Sequence, residues 1–177
     1  MIKKILLGLL IVIVLFLVVV ALQPAEYRVT RSATVAAPPP DIFLQVNDFH
    51  NWEKWSPWAK LDAAMKQTFE GPASGKGAIY HWTGDKKVGE GQMTITESQP
   101  NDLIRIKLEF IKPFASVALT EFTFKPEANG TSVTWSMSGH KNFISKAFCL
   151  FMSMDKMVGG DFERGLASLK SAAEGKK

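Results

Sequence analysis

Three histidines, His50, His81 and His140, are the first places to look for acid–base chemistry in this sequence. None has a second His or a Cys at ligand spacing, so metal binding finds no support. His81 lies between Tyr80 and Trp82. If Trp82 faces an interior, the two-residue period of a strand turns His81 to water, and no carboxylate is placed beside it to make a base pair with it. Glu121 is the most interesting carboxylate. Pointing inward it would be a candidate acid, but its parity partners Leu119 and Thr123 leave its face open. Asp48 and Glu53 read as partners of Lys54 or as helix caps, the ordinary fate of surface charges. Cys149 is the only cysteine, which excludes an internal disulfide and paired redox chemistry, and its apolar setting suits a small core residue. These residues assign no catalytic group, no metal and no cofactor.

The other chemistry available is apolar. Tyr80, Trp82, Met93, Ile95 and Phe110 fall on alternating stretches in the middle of the chain. Phe122, Phe124, Trp135 and Met137 do so further on, followed by Phe148, Phe151 and Met152. Aromatic-plus-methionine walls suit a flexible apolar ligand; the same residues equally serve to fill a core. Trp52, Trp55 and Trp58 admit three readings: a packed plug, a wall that gates a ligand, or contact with a bilayer surface, where Trp is favoured.

The elements that must position these side chains are mostly strands. Tyr27 to Val35 alternates, and Pro38-Pro39-Pro40 ends it and opens a helix in which Ile42, Phe43, Val46 and Phe49 recur at helical spacing. The tryptophans come next, on a second short helix or turn, which Pro57 prevents from running on. Six further strands are predicted over 65–70, 77–83, 91–98, 103–111, 115–125 and 131–139, antiparallel because their connections are too short for crossovers. Asn129-Gly130 signals a type I′ hairpin turn. Ala147, Phe151, Met154, Val158, Phe162, Leu166, Leu169 and Ala173 keep one helical stripe through Gly159-Gly160. That predicts one long helix, kinked or weakened at the glycines, which mark a close packing contact, a loop or a hinge.

Ahead of all this, Ile5 to Leu22 is an unbroken apolar run with Lys3 and Lys4 before it. At ~1.5 Å per residue it is just long enough to cross a bilayer. A cleaved signal peptide is the rival, but its apolar core is normally shorter. The reading is therefore a membrane anchor at 1–22, a spacer at 23–26 and a water-soluble domain at 27–174. The positive-inside rule exports that domain, opposed by Arg28 and Arg31 on the other flank. The net charge of +4 falls to +2 without Lys3 and Lys4. With no run of basic residues before the tail, nucleic acid is excluded as a partner.

The order strand, two helical pieces, six strands, long helix makes an α+β domain: a curved antiparallel sheet of about seven strands wrapped around a C-terminal helix. Here the chain resembles the SRPBCC helix-grip superfamily, which includes START lipid-transfer domains and polyketide cyclase-like proteins. The resemblance rests on Val46-Asn47-Asp48-Phe49-His50-Asn51-Trp52-Glu53-Lys54-Trp55-Ser56-Pro57-Trp58, on the segment from Gly71 to Trp82, and on Met154 to Phe162. It looks like a bacterial member with an N-terminal anchor. The resemblance implies an internal apolar cavity lined by Tyr80, Trp82, Met93, Phe110, Phe122, Trp135, Met137, Phe148, Phe151 and Met152. It implies a hydrophobic small molecule or lipid as partner, held at the outer face of a cytoplasmic membrane. A cyclase- or hydrolase-like enzyme and a protein-interaction module are the alternatives, and no protein partner is named by the sequence.

Overall fold

The computed structural model describes residues 1–175. An apolar helix, α1 (Ile2–Leu22), leads into β1 (Glu26–Val35), α2 (Pro39–Asn47) and a 3-10 helix (Phe49–Lys54). Six strands come after: β2 (Lys66–Glu70), β3 (Ile79–Thr83), β4 (Glu90–Gln99), β5 (Leu103–Lys112), β6 (Ser116–Glu127) and β7 (Gly130–His140). Two helices, α3 (Phe143–Cys149) and α4 (Met154–Ala173), complete the chain. The strands form one open antiparallel sheet in the order β1-β7-β6-β5-β4-β3-β2. Hairpin succeeds hairpin from β2 to β7, and β1 closes onto β7. The α+β helix-grip architecture expected from the sequence is the one found.

Period-2 alternation gives the sheet a polar face and an apolar one. Arg28, Glu121, Arg105 and Glu97 stand on the polar outer face. There the Arg105 guanidinium bonds Glu121 at 2.8 Å and also reaches Glu97, while Arg28 donates to Ser136 at 3.0 Å. Glu121 is thus an ion-pair partner on the outside. The apolar inner face is gripped by α4, whose Phe162, Leu166 and Leu169 are buried.

Two expectations need correction. The long C-terminal helix is interrupted, but at Leu150–Ser153 and not at the glycines. Each half has its own N-cap: Asn142 accepts from Ser145 N at 2.8 Å and Ser153 accepts from Lys156 N at 3.3 Å. Caps of this kind satisfy the free N–H groups of a new helix and so favour a restart over continuation. Helix α4 instead runs unbroken through Gly159-Gly160, because Gly159 is a packing contact. A Cβ there would come within 2.1 Å of Arg31 Nη2. Arg31 reaches over that glycine to Asp155 at 2.7 Å and Glu163 at 2.6 Å, tying β1 to α4.

The second correction is the β6–β7 turn, whose central residues are Ala128 and Asn129, one step earlier than predicted. Gly130 is already the first residue of β7, at φ 137°, where a Cβ would collide with the Val35 carbonyl. The glycine serves the close approach of β1 and not the type I′ geometry.

The sheet has two distinct ends. At the near end lie the α1–β1 junction, the β3–β4 and β5–β6 turns, and α3. The far end carries the β4–β5 and β6–β7 turns and the last turn of α4.

Candidate functional site

The strand register sorts the inner face into rows that run across the sheet. The row of Ile104, Phe122, Trp135 and Arg31 is tightly filled. Trp135 stacks on Phe162 with ring centroids 4.1 Å apart and on Phe122 at 4.9 Å. Trp55 packs edge-on against both Phe122 and Trp135, and Trp52 against Phe122. The indoles of Trp52 and Trp55 donate to the carbonyls of Val46 and Gln45 at 2.9 and 3.0 Å. Those bonds fix the 3-10 helix against α2, so Trp52 and Trp55 are interior packing. Trp58 is half-buried, edge-on to Trp135 and Phe162.

Toward the near end, two rows are built differently. One reads Phe69, Tyr80, Met93, Leu108, Ala118, Gly139, Tyr27, and the next Gln67, Trp82, Gly91, Phe110, Ser116. Small residues stand in the middle of these rows and aromatics at the sides; this less-covered part of the inner face is the near-end bay. Trp82 folds across β4, where a Cβ on Gly91 would meet its ring at 2.3 Å, and its indole N–H donates to the Val88 carbonyl at 3.0 Å. Tyr27 lies over Gly139 in the same way. Tyr27, Leu108, Tyr80, Trp58 and Met65 are only partly covered, and Phe110 at the rim is 37% exposed.

Of the residues the sequence singles out, Tyr80, Trp82, Met93 and Phe110 therefore meet in this bay. Met137 borders it, and Phe122 and Trp135 form the packed wall behind it. Phe148, Phe151 and Met152 do not join them. They stand on α3 and the turn after it, 68, 82 and 54% exposed. Tyr27, Leu108, Ala118 and Gly139 line the bay without having stood out in the sequence. The signal for them was the parity of their strands, in which small residues hold inward positions. His81 faces outward, 3.6 Å from Glu70, as its alternation with Trp82 required. His50 bonds Asp48 at 2.7 Å and stacks on Phe69, and Asp48 also accepts from His50 N at 2.9 Å as the cap of the 3-10 helix. Cys149 is half-buried.

The electrostatics favour hydrogen-bond donation over proton abstraction. Burial, with Glu53 nearby, pushes the Tyr80 hydroxyl up to about 12. Burial and the neighbouring Cys149 raise Tyr27 as well. Both phenols stay protonated at neutral pH. Trp135 Nε1 is buried with no hydrogen-bond acceptor, a state that costs about 1–3 kcal/mol. Among the described residues, no group of three or more His, Cys, Asp or Glu is placed to hold a metal ion. On the outer face at the near end, an open groove of about 740 Å³ runs past Arg28, Lys107, Val117, Leu119 and His140.

The fold is shared with solved proteins of low identity. A Chromobacterium violaceum protein superposes with a TM-score of 0.57 at 16% identity, over 86% of this chain and 99% of its own. The di-domain ARO/CYC BexL of the BE-7585A biosynthetic pathway gives 0.65 at 13% identity over 89% of this chain, which spans about half (53%) of that protein. The Aha1 dimer of Colwellia psychrerythraea gives 0.56 at 18% identity, over 84% and 96%. No curated protein matches the chain. The family described as polyketide cyclase / dehydrase and lipid transport matches residues 26–174, nearly all of the chain beyond α1, and the chain belongs to it.

Proposed function

We propose that this protein binds a hydrophobic small molecule or lipid in the near-end bay, tethered to a membrane by α1. Family membership bounds the activity to hydrophobic-ligand binding or cyclase-like chemistry. The observation that carries the binding reading is the uneven filling of the inner face. Tyr27, Tyr80, Leu108 and Phe110 are left partly uncovered beside Trp82 and Met93, while the adjoining rows are close-packed. Covering such side chains with an apolar ligand contributes roughly 25 cal/mol per Å² buried, before the costs of association. The Tyr80 hydroxyl is a donor, which suits a ligand that carries a carbonyl or ether oxygen on an apolar body. Helix α1, 21 residues long and apolar throughout, fits a membrane span or a signal sequence by length and composition. As a span it raises the concentration of the bay near lipids with no new contact.

A cyclase-like enzyme is the second reading, favoured by the family description and by the fold shared with the ARO/CYC proteins. Its chemistry here would be limited to what phenol donors supply: orientation and polarisation of a substrate carbonyl. Native mass spectrometry of the full chain, transferred from its membrane into amphipol, separates binding from none. A defined adduct of a few hundred daltons, lost in Phe110→Glu, is the expected result. A clean protein mass, with no uptake from a lipid extract, overturns the binding reading.

A further inference from the structure

The near end of the domain carries large apolar side chains that nothing in the fold covers. Phe114 at the β5–β6 turn is 73% exposed, and Ile144, Phe148 and Phe151 on and after α3 are more than 60% exposed. They belong to two segments far apart in sequence that the sheet brings to one end. Single exposed hydrophobics need no explanation, but a cluster of large ones marks an interaction surface.

Three observations identify what that surface meets. The first is the position of α1. Its last turn packs on α3, Val20 is buried there, and Lys146 Nζ donates to the Ala21 carbonyl at 3.3 Å. A helix that leaves the bilayer at Leu22 therefore places α3 at the level of the headgroups. The second is charge. Lys66, Lys86, Lys87, Lys112, Lys141 and Lys146 lie on this end against the acids Glu26, Asp62, Asp85 and Glu90, so lysines outnumber carboxylates there. Asp85 accepts from Lys87 N at 2.7 Å and Glu90 pairs with Lys112 at 2.6 Å. The third is the composition of the rim, phenylalanine and isoleucine with interspersed lysine, which suits the boundary between headgroups and acyl chains.

We infer that the near end is a second, peripheral membrane-binding surface, selective for anionic lipid, which seats Phe114, Phe148 and Phe151 in the interface. The inference rests on the tethered reading of α1. Docking in this pose sets the mouth of the bay, with Phe110 at its rim, against the bilayer, so an apolar ligand would pass between membrane and bay without crossing water.

The test uses the full chain in nanodiscs of phosphatidylcholine with and without phosphatidylglycerol. In a Cys149→Ser background, an environment-sensitive fluorophore is attached through Phe114→Cys, Phe151→Cys or, at the far end, Asn129→Cys. The expected result is a blue-shifted emission at 114 and 151, quenched by spin-labelled lipid, with the probe at 129 remaining aqueous. Lys87→Gln or Lys141→Gln should each lower the docked-to-undocked ratio about fivefold in anionic discs, the ~1 kcal/mol expected per basic residue near such a surface. Probes at 114 and 151 that are as aqueous as the one at 129 would overturn the inference. A ligand adduct that persists in that case leaves the binding reading intact. Lipid-buried probes without any adduct would leave docking standing and sink the binding reading alone.

Discussion

The two ends of the inner sheet face are made of the same residue types and do opposite things with them. In the rows from Ile104 to Arg31 and beyond, aromatic rings meet aromatic rings across the gap between sheet and helix. Trp135 lies flat between Phe122 and Phe162, and the Trp52–Trp55 pair closes the space above. Toward the near end, Gly91, Ala118 and Gly139 take inward positions, so Trp82 and Tyr27 fold sideways over their neighbours. The surfaces differ in the same sense. The near end shows exposed phenylalanines with lysines in excess over carboxylates, whereas the far end shows Asp41, Asp102 and Glu127 beside Lys76, Lys125 and Lys170. Small residues at a few inward positions let neighbouring rings lie across the sheet, and the side chains around them stay less covered than those of an interior packed to crystal density.

The largest effect expected from this difference is on stability. Trp135→Ala removes a ring stacked on two others and should cost about 3–5 kcal/mol, read as a lowered urea midpoint with little change in slope. Phe110→Ala, at the rim of the bay, should change the midpoint by no more than about 0.5 kcal/mol. Equal losses in the two variants would mean that the bay is as tightly packed as the core.

A smaller effect sharpens the account of the clamp between β1 and α4. Gly160 has no atom closer than 3.6 Å to an added Cβ, so Gly160→Ala should stabilise by about 1 kcal/mol through helix propensity alone. Gly159→Ala gains the same propensity but displaces the Arg31 guanidinium, and it should fall clearly short of that gain. Thermal denaturation of the two variants side by side checks this. If Gly159→Ala stabilises as much as Gly160→Ala, Arg31 does not depend on the close approach.

The same clamp sets a dependence on pH. Hydrogen bonding to Arg31 holds the Asp155 carboxyl below its ordinary value and, in return, raises the guanidinium. A carboxylate depressed in the folded state contributes stability that is present above its unfolded pKa, ~3.9. That contribution is lost as pH falls through the lower folded value. Glu97, held down by Gln99 and Arg105, acts in the same direction on the outer face. Asp155→Asn should flatten the acid limb of the stability–pH curve. An unchanged limb would mean that the pair is fully screened by solvent.

Much of this is legible in the sequence, and the reason is periodicity. Strands β1, β5 and β7 are readable from alternation and the others largely from the turn residues that bound them, and the parity of β3 puts Trp82 inward and His81 outward. The break in the C-terminal helix escapes such a reading because the hydrophobic stripe stays in phase across Leu150–Ser153. The restart depends on two side-chain caps, Asn142 and Ser153, which a hydrophobic count does not register. The sequence leaves Gly159 open between contact, loop and hinge, since the atom that decides it belongs to Arg31, 128 positions earlier. The bay is only partly legible. Aromatic and methionine residues are its obvious candidates, but the small residues over which those rings lie, Gly91 and Gly139, are matched to them by cross-strand register, which alternation alone does not supply. Phe151 reads as interior because it continues the helical stripe of α4, and Phe148 and Met152 because they are an aromatic and a methionine beside it.

The smallest effect on stability should accompany a large effect on function. Phe151→Ser removes a side chain that is 82% exposed, so the unfolding midpoint should stay within about 0.5 kcal/mol of the parent. If the near end meets the bilayer, the same substitution removes an anchor from the interface and should slow transfer of ligand between membrane and bay, leaving its affinity for ligand presented in solution unchanged. Transfer of a fluorescent acyl probe from donor vesicles, timed by stopped flow, distinguishes the two quantities. Slower transfer with unaltered affinity assigns Phe151 to the route of entry. Weaker affinity at an unaltered rate would instead make it part of the bay wall, which would require α3 to close over the ligand and erase the contrast between the packed end and the open one.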